Sequence, residues 1–344
     1  MSSLIGPEAA QAELEAAEEE GLPGQKPVKR AKVATGEGRL AFYLIFPSML
    51  LLAVVVGYPI FYAVYHSMQS DATNVLLPNG KFATTTHFVG LEHYRDWLTQ
   101  RCHRGTTSTS CPPGNIGGQF WLAIRNTLFY TVVTVTLETC IGMIFALMMN
   151  KAFKGRGIVR AVILIPWAIP TAVTAKLWVV IFNQNGIFNK VFHMNYAWTV
   201  DTWPGRFAII IADVWKTTPF MALLILAGLQ VIPDELYESA KVDGATAWQR
   251  FVRITLPLAK PAIAVALIFR AMDVLRMYDL PAILTPGAPG TDTISVLVVK
   301  ALRQNVNAAA ALSTLTLIFI FLCAFILVRV LGANVVGSQA RGVK

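Results

Sequence analysis

The chain is 344 residues long, 55% hydrophobic and only 14% charged, with a mean hydropathy of +0.53. That balance is far from a soluble domain's and describes an integral membrane protein. The formal net charge of +9 calls for no nucleic acid, because the basic residues cluster beside the apolar runs, where anionic headgroups of a lipid bilayer attract them.

Residues 1–38 read as a mobile, solvated tail. Pro7–Glu20 is rich in Ala and Glu and has no apolar face to commit a helix to packing; Gly21-Leu22-Pro23-Gly24 breaks it before a basic patch. Six apolar runs follow: Ala41–Tyr65, Leu122–Met149, Ile158–Phe182, Phe207–Val231, Pro261–Met277 and Ala308–Leu331. About 20 helical residues cross the roughly 30 Å of hydrocarbon in a bilayer, so each run is a candidate span. The first is too long and too far from the N-terminus for a cleaved signal peptide. The fifth is short and needs tilt or a protein-lined end.

Lys and Arg near the spans set the expected orientation. Lys26, Lys29, Arg30, Lys32 and Arg39 precede the first run, and Lys151, Lys154, Arg156 and Arg160 fill the connection after the second. Lys241, Arg250, Arg253 and Lys260 follow the fourth run, and Arg341 and Lys344 end the chain. All four groups fall on one side of a six-span topology, which predicts both termini in the cytoplasm. Lys81, Arg95, Arg101 and Arg104 lie opposite, in a long loop where the rule weakens. That external loop, residues 67–119, carries Cys102 and Cys111 on the oxidising side, which predicts a disulfide closing a small loop; the alternative is two free thiols. Cys140 and Cys323 sit in apolar runs and read as small core residues. No zinc-type cysteine spacing, phosphate-binding loop or internal repeat is present, so ATP binding of that kind is not expected on this chain.

The polar stretch after the fourth run has its own grammar. Pro233 precedes a short helix expected over Asp234–Val242. Gly244 permits a turn with positive φ. Thr246 and Gln249 form a capping-box pattern that opens a second helix through Arg253. Pro257 and Pro261 are expected to close the unit and begin the next run.

Within this stretch Glu238-Ser239-Ala240, then Gly244, then Ile254-Thr255-Leu256-Pro257 stand at fixed spacing. This pattern resembles the coupling segment of permease subunits in ATP-binding-cassette importers: E-A-A, three residues, G, nine residues, I-x-L-P. Only Ser239 departs from it. Further stretches resemble the maltose, glycerol-phosphate and trehalose branch of those permeases. They are Ile165-Pro166-Trp167-Ala168-Ile169-Pro170, Asp213 to Phe220, Gly228-Leu229 with Ile232-Pro233, Tyr278-Asp279, Leu284 to Pro289 and Ala308 to Leu312. In the Leu284–Pro289 turn, Pro286 and Ala288 replace the usual glycines. The fourth span is most similar to that of trehalose importers.

The resemblance implies an all-α membrane protein with six transmembrane helices of the type I importer permease fold and a cytoplasmic coupling helix. A permease domain over residues 39–332 would contain the coupling segment, residues 233–257, and be followed by a cytoplasmic tail, 333–344. It implies the function of a sugar-importing permease that forms half the pathway, with no enzymatic activity of its own. Expected partners are a second homologous permease, two ATPase subunits and an external sugar-binding protein. ATP and Mg would sit on the ATPases, with no cofactor on this chain. Glu238, Ser239, Ala240, Asp243, Gly244, Ile254, Leu256 and Pro257 are carried over as the ATPase-coupling residues.

Charges inside spans mark functional candidates by default. Glu138, Lys176, Asp213, Lys216, Arg270 and Asp273 are such residues. Asp213 and Lys216 share a helix face beside Pro219, which is expected to loosen that turn. Two readings stand for this pair: an ion pair that packs the bundle, or donors and acceptors lining a cavity for a hydroxyl-rich ligand. The resemblance places sugar contacts at Asp213, Lys216, Thr217, Trp167, Thr171, Asp273 and Arg276. Trp167 is either a stacking platform for a sugar ring or an ordinary packed aromatic. Arg270 and Asp273 can also pair with each other, and Glu138 and Lys176 read as structural. Two rival classes lack their own signals: a secondary transporter would show an ion-coupling site and repeated halves, and a membrane glycosyltransferase would show clustered catalytic carboxylates.

Overall fold

The computed structural model describes residues 35–71, 73–76, 82–104, 107–112 and 114–341. The acidic segment 7–20 and its break, Lys26, Lys29, Arg30, Lys32, Lys81 and Lys344 lie outside the described residues, as do the side chains of Arg39, Arg104 and Arg341. The chain divides into two units, residues 1–61 and 62–344. In the first, α1 (Thr35–Leu52) passes through a π-helical turn, Ala53–Gly57, into α2 (Tyr58–Ser67). Every described side chain from Phe42 to Phe61 is exposed, as suits a run apolar all round.

The second unit takes in the end of α2 and then the loop. Two antiparallel hairpins lie in it: β1 (Thr73–Leu76) pairs with β2 (Phe82–Thr85), and β3 (Arg101–Arg104) with β4 (Thr107–Ser110), on either side of α3 (Glu92–Thr99). These strands are an addition to the expected all-helical chain and are confined to the loop. Cys102, in β3, is joined to Cys111, just past β4, by a disulfide with a Cα–Cα distance of 4.9 Å. Buried Trp97 in α3 donates its indole N–H to the carbonyl of Ala308 at 2.8 Å, so the loop is tied to the last span.

The helices that follow are α4 (Phe120–Asn150), α5 (Arg156–Ala168), α6 (Thr171–Ile181), α7 (Ile187–Val191) and α8 (Thr202–Leu229). The single third span expected over Ile158–Phe182 is instead α5 and α6, bent by 91°. Pro170 is the cause: it disfavours helical backbone at the preceding residue, and Ile169 is extended with φ −77° and ψ 131°. Pro219 does not break α8, which runs through it as one helix. Thr218 Oγ1 donates to the carbonyl of Val214 at 2.6 Å, whereas the carbonyl left without its helical donor by the missing N–H of Pro219 is that of Trp215.

Next come α9 (Asp234–Val242), α10 (Ala247–Arg250) and α11 (Leu256–Val274), the last two joined by a π-helical turn, Phe251–Thr255. Pro257 and Pro261 therefore do not close the unit. The π turn lets the helix continue, and Pro257 falls at the start of α11, where a missing N–H is tolerated. The helical stretch Ala247–Val274 is 28 residues, which removes the shortage expected of the fifth span. Then α12 (Asp279–Leu284) and α13 (Ile294–Leu302) lead into α14 (Val306–Arg341). Among the described residues, five helices are long and apolar enough to cross a membrane, and the bent pair makes up to six.

α4, α8 and α11 form the centre of this unit. Tyr130, Ile209, Ile210 and Val274 pack in one buried cluster, and Met143, Ala222, Ile225, Leu229 and Ala259 in another. At Gly228 the α8 and α11 backbones approach so closely that an added Cβ would lie 2.2 Å from the Cβ of Ala262. Small residues allow this, and close approach is what drives helix association where no hydrophobic effect operates.

Candidate functional site

Halfway along α8, the side chains of Asp213 and Thr217 meet residues from α4 and α11. Arg270 of α11 is 2% exposed and uses all three guanidinium nitrogens. Its Nε donates to Glu138 Oε2 at 2.6 Å and its Nη2 to Glu138 Oε1 at 2.9 Å, a two-pronged pair. Nη2 also donates to Asp213 Oδ2 at 2.5 Å, and Nη1 to Asp273 Oδ2 at 2.5 Å. Thr217 Oγ1 closes the arrangement by donating to Glu138 Oε1 at 2.6 Å. Three spans are thus pinned at one point.

Of the two readings of Asp213 and Lys216, the ion pair between them is not found among the described residues. Lys216 is buried but makes no ion pair among the described residues, and Arg270 takes its place as the partner of Asp213. Adjacent positions three apart share a face, but reach and direction decide the pairing, and Arg270 enters from the facing helix. Glu138, read as structural, is the residue most enclosed in the network. Nothing local in the sequence could have joined it to Arg270, 132 residues away. Lys176, also read as structural, is exposed.

Burial separates the three carboxylates. The side chains of Glu138 and Asp213 are 0% and 7% exposed, whereas that of Asp273 is 68% exposed. The network therefore has a sealed side and an open side. Trp167, at the end of α5, is exposed and stacks on Phe220 of α8 at 5.8 Å, three residues beyond Thr217. Thr171 opens α6 on the other side of the 91° break and is partly buried. Arg276 lies past the end of α11, exposed, its Nε donating to the carbonyl of Met272 at 3.3 Å. The structure thus unites Asp213, Thr217 and Asp273, with Lys216 beside them on α8, and leaves Arg276 outside.

A second polar cluster fixes the turn between α12 and α13. Arg206 Nε and Asn126 Nδ2 donate to the carbonyl of Gly290 at 3.0 and 2.9 Å, and Arg206 Nη2 to Asn126 Oδ1 at 2.8 Å. Tyr130 donates to the carbonyl of Thr291 at 3.1 Å. Pro286 and Ala288 are accommodated because the left-handed positions of this turn fall on Gly287 and Gly290, with φ +80° and +71°.

The segment 233–257 presents a different kind of site. α9 ends in a Schellman motif: Ala245 N–H bonds the Ala240 carbonyl at 2.9 Å and Gly244 N–H the Lys241 carbonyl at 3.1 Å, with Gly244 at φ +76°. The reciprocal Thr246–Gln249 capping box starts α10. Tyr237 Oη meets Thr255 Oγ1 at 3.0 Å and holds the two helices together. Glu238, Ser239, Asp243, Gly244, Leu256 and Pro257 are exposed, and Ala240 and Ile254 partly so. Val242 and Trp248 stand 88% and 71% exposed beside them. The segment is internally satisfied yet offers apolar side chains outward.

The family described as "Binding-protein-dependent transport system inner membrane component" matches residues 138–337. The chain is 38% identical to the trehalose/maltose transport system permease protein MalF of Thermococcus litoralis over 299 residues, 84% of this chain and 92% of that one. It is 36% identical to the trehalose transport system permease protein SugA of Mycobacterium tuberculosis, over 89% of this chain and 93% of that one. A chain of a bacterial alginate ABC transporter, solved with a pentasaccharide-bound periplasmic protein, shares the fold with a TM-score of 0.66, at 23% identity over 88% of this chain and 96% of that one. With five to six apolar helices built as a type I importer permease, and this likeness along most of its length, the chain belongs to the binding-protein-dependent inner membrane components, as a multi-pass sugar permease of the ATP-binding-cassette class.

Proposed function

We propose that this chain forms half the pathway of an ATP-driven importer of a disaccharide such as trehalose. A second homologous permease would supply the other half, and an external binding protein would deliver the sugar. Two ATPase subunits, carrying ATP and Mg, would dock on segment 233–257, with both termini on the same cytoplasmic side. The chain itself would hold no cofactor. The observation that carries the coupling is the exposed, self-capped pair α9–α10 with Val242 and Trp248 turned outward: an apolar surface on a rigid element is a surface for a partner. The trehalose and maltose named for the relatives at 36% and 38% identity support the choice of sugar.

Asp213, Lys216, Thr217 and Asp273 are the proposed sugar contacts, with Trp167 and Thr171 at the broken third span. A neutral disaccharide offers many hydroxyls, each a donor and an acceptor. Carboxylates accept from them, and a buried lysine with no ion pair among the described residues donates to them. Arg276, carried over by resemblance, lies outside this group.

Co-purification in mild detergent followed by reconstitution tests the reading. The expected result is a stoichiometric ATPase and ATP-dependent uptake of labelled trehalose into vesicles. Uptake driven by a proton gradient without ATP, or binding of an ATPase lost on removal of residues other than 233–257 only, would overturn it.

A further inference from the structure

We infer that Glu138 and Arg270 are a positioning pair, which holds Asp213 and Asp273 at the geometry in which they receive sugar hydroxyls. The inference rests on the reading of those two carboxylates as sugar contacts, and adds residues that the resemblance did not assign.

The argument begins with Arg270 itself. A guanidinium is planar, and its N–H bonds point in fixed directions, so anchoring two of its nitrogens on one carboxylate fixes the whole plane. Glu138 does this through Nε and Nη2, at 2.6 and 2.9 Å. Glu138 is itself held, being fully buried and accepting from Thr217 at 2.6 Å. With the plane fixed, Nη1 and the remaining face of Nη2 have set directions, and these are occupied by Asp273 and Asp213. Neither carboxylate is held by another side-chain donor among the described residues, so Arg270 sets where their oxygens lie. The exposed Asp273 would otherwise be free to rotate at the end of its helix.

Charge points the same way. Glu138, Asp213 and Asp273 are three carboxylates, against Arg270 and the neighbouring Lys216. A network built only to staple spans would need Glu138 and Arg270 and nothing on the open side. Here the buried pair is followed by a carboxylate that is 68% exposed and whose second oxygen has no partner among the described residues. Preorganised acceptors lower the ordering cost of binding a flexible ligand.

The test is uptake of radiolabelled trehalose by the complete importer in proteoliposomes, over a range of sugar concentrations. Four variants are compared: Glu138→Gln, Arg270→Lys, Asp213→Asn and Asp273→Asn. Glu138→Gln keeps the shape but weakens the grip on Arg270, and Arg270→Lys keeps the charge but loses the fork. Both are expected to raise the half-saturating sugar concentration at least ten-fold, while the maximal rate falls less than three-fold. If Asp213→Asn and Asp273→Asn raise it but Glu138→Gln and Arg270→Lys do not, the positioning inference is wrong and the sugar contacts stand. If neither aspartate variant moves it, the sugar contacts themselves are wrong and the inference goes with them. A loss of assembly and maximal rate at unchanged half-saturation would reduce the pair to a structural staple. Should Glu138→Gln not assemble, Glu138→Asp, which retains charge but shortens the reach, is read by the same criteria.

Discussion

Arg270 shows how one side chain decides the character of a region. Burying a charge is costly unless every partner is present, and removal of one partner of a buried pair destabilises by about 3–5 kcal/mol. Arg270→Met should therefore lower the thermal unfolding temperature of the purified complex sharply, because Glu138 and Asp213 are left facing one another without compensation. The triple variant Arg270→Met, Glu138→Gln and Asp213→Asn should regain part of that loss, and a triple variant as unstable as Arg270→Met would contradict the account. Asp213→Asn alone is gentler. A charge-assisted hydrogen bond contributes about 1.5–3 kcal/mol, so its loss should weaken a transient sugar complex about ten-fold or more. Thr217→Leu should also depress uptake, by filling space and by removing the donor that steadies Glu138. Wild-type transport by both variants across sugar concentrations would remove α8 from the pathway.

At the scale of elements, much was legible and the exceptions share a cause. The capping box, the start at Pro233, the helix over Asp234–Val242 and the positive φ of Gly244 follow from local chemistry, and all are in the structure. The apolar runs likewise located the spans. What failed was the effect of proline. Pro170 breaks a span, while Pro219, Pro257 and Pro261 lie within helices. All have the same intrinsic effect on the backbone; a π turn and packing decide whether the helix survives it. The two hairpins were missed because a loop of small polar residues carries no alternation to betray a strand. The Glu138–Arg270 pair was missed because helix pairing in space is not a local property. Packing at Gly228 yields a prediction of this scale. Gly228→Ala would place a methyl against Ala262 and force α8 and α11 apart, lowering thermal stability in detergent; Ala262→Gly should rescue it. Absence of rescue would mean that the damage arises elsewhere. In the loop, the Cys102–Cys111 bond predicts that neither thiol is alkylated in native membranes without reductant, and mass spectrometry of unreduced peptides reads this directly.

For the whole molecule the question is how a chain with a charged centre and an exposed segment over residues 233–257 connects the two. α10, the π turn and α11 form one continuous helical stretch from Ala247 to Val274. That stretch starts in the segment proposed to meet the ATPase, and Asp273 and Arg270 lie at its far end. A displacement at α9–α10 thus acts on a rigid element that carries the network, without any flexible link between. Gly244→Asp tests this connection at its outer end. In this chain a Cβ at Gly244 meets nothing within 4 Å. Aspartate also tolerates left-handed backbone better than most residues, so the fold itself should lose no more than about 1 kcal/mol. Any large effect must then come from bulk and charge placed against a partner. The expected outcome is normal membrane insertion and an intact Tyr237–Thr255 contact, with loss of ATPase co-purification or of sugar-stimulated hydrolysis. Measuring the ATPase-to-permease ratio together with trehalose uptake separates lost docking from lost transmission. A variant that assembles and transports like the wild type would show that Gly244 does not face the ATPase, and the path from α9 to Arg270 would lose its starting point.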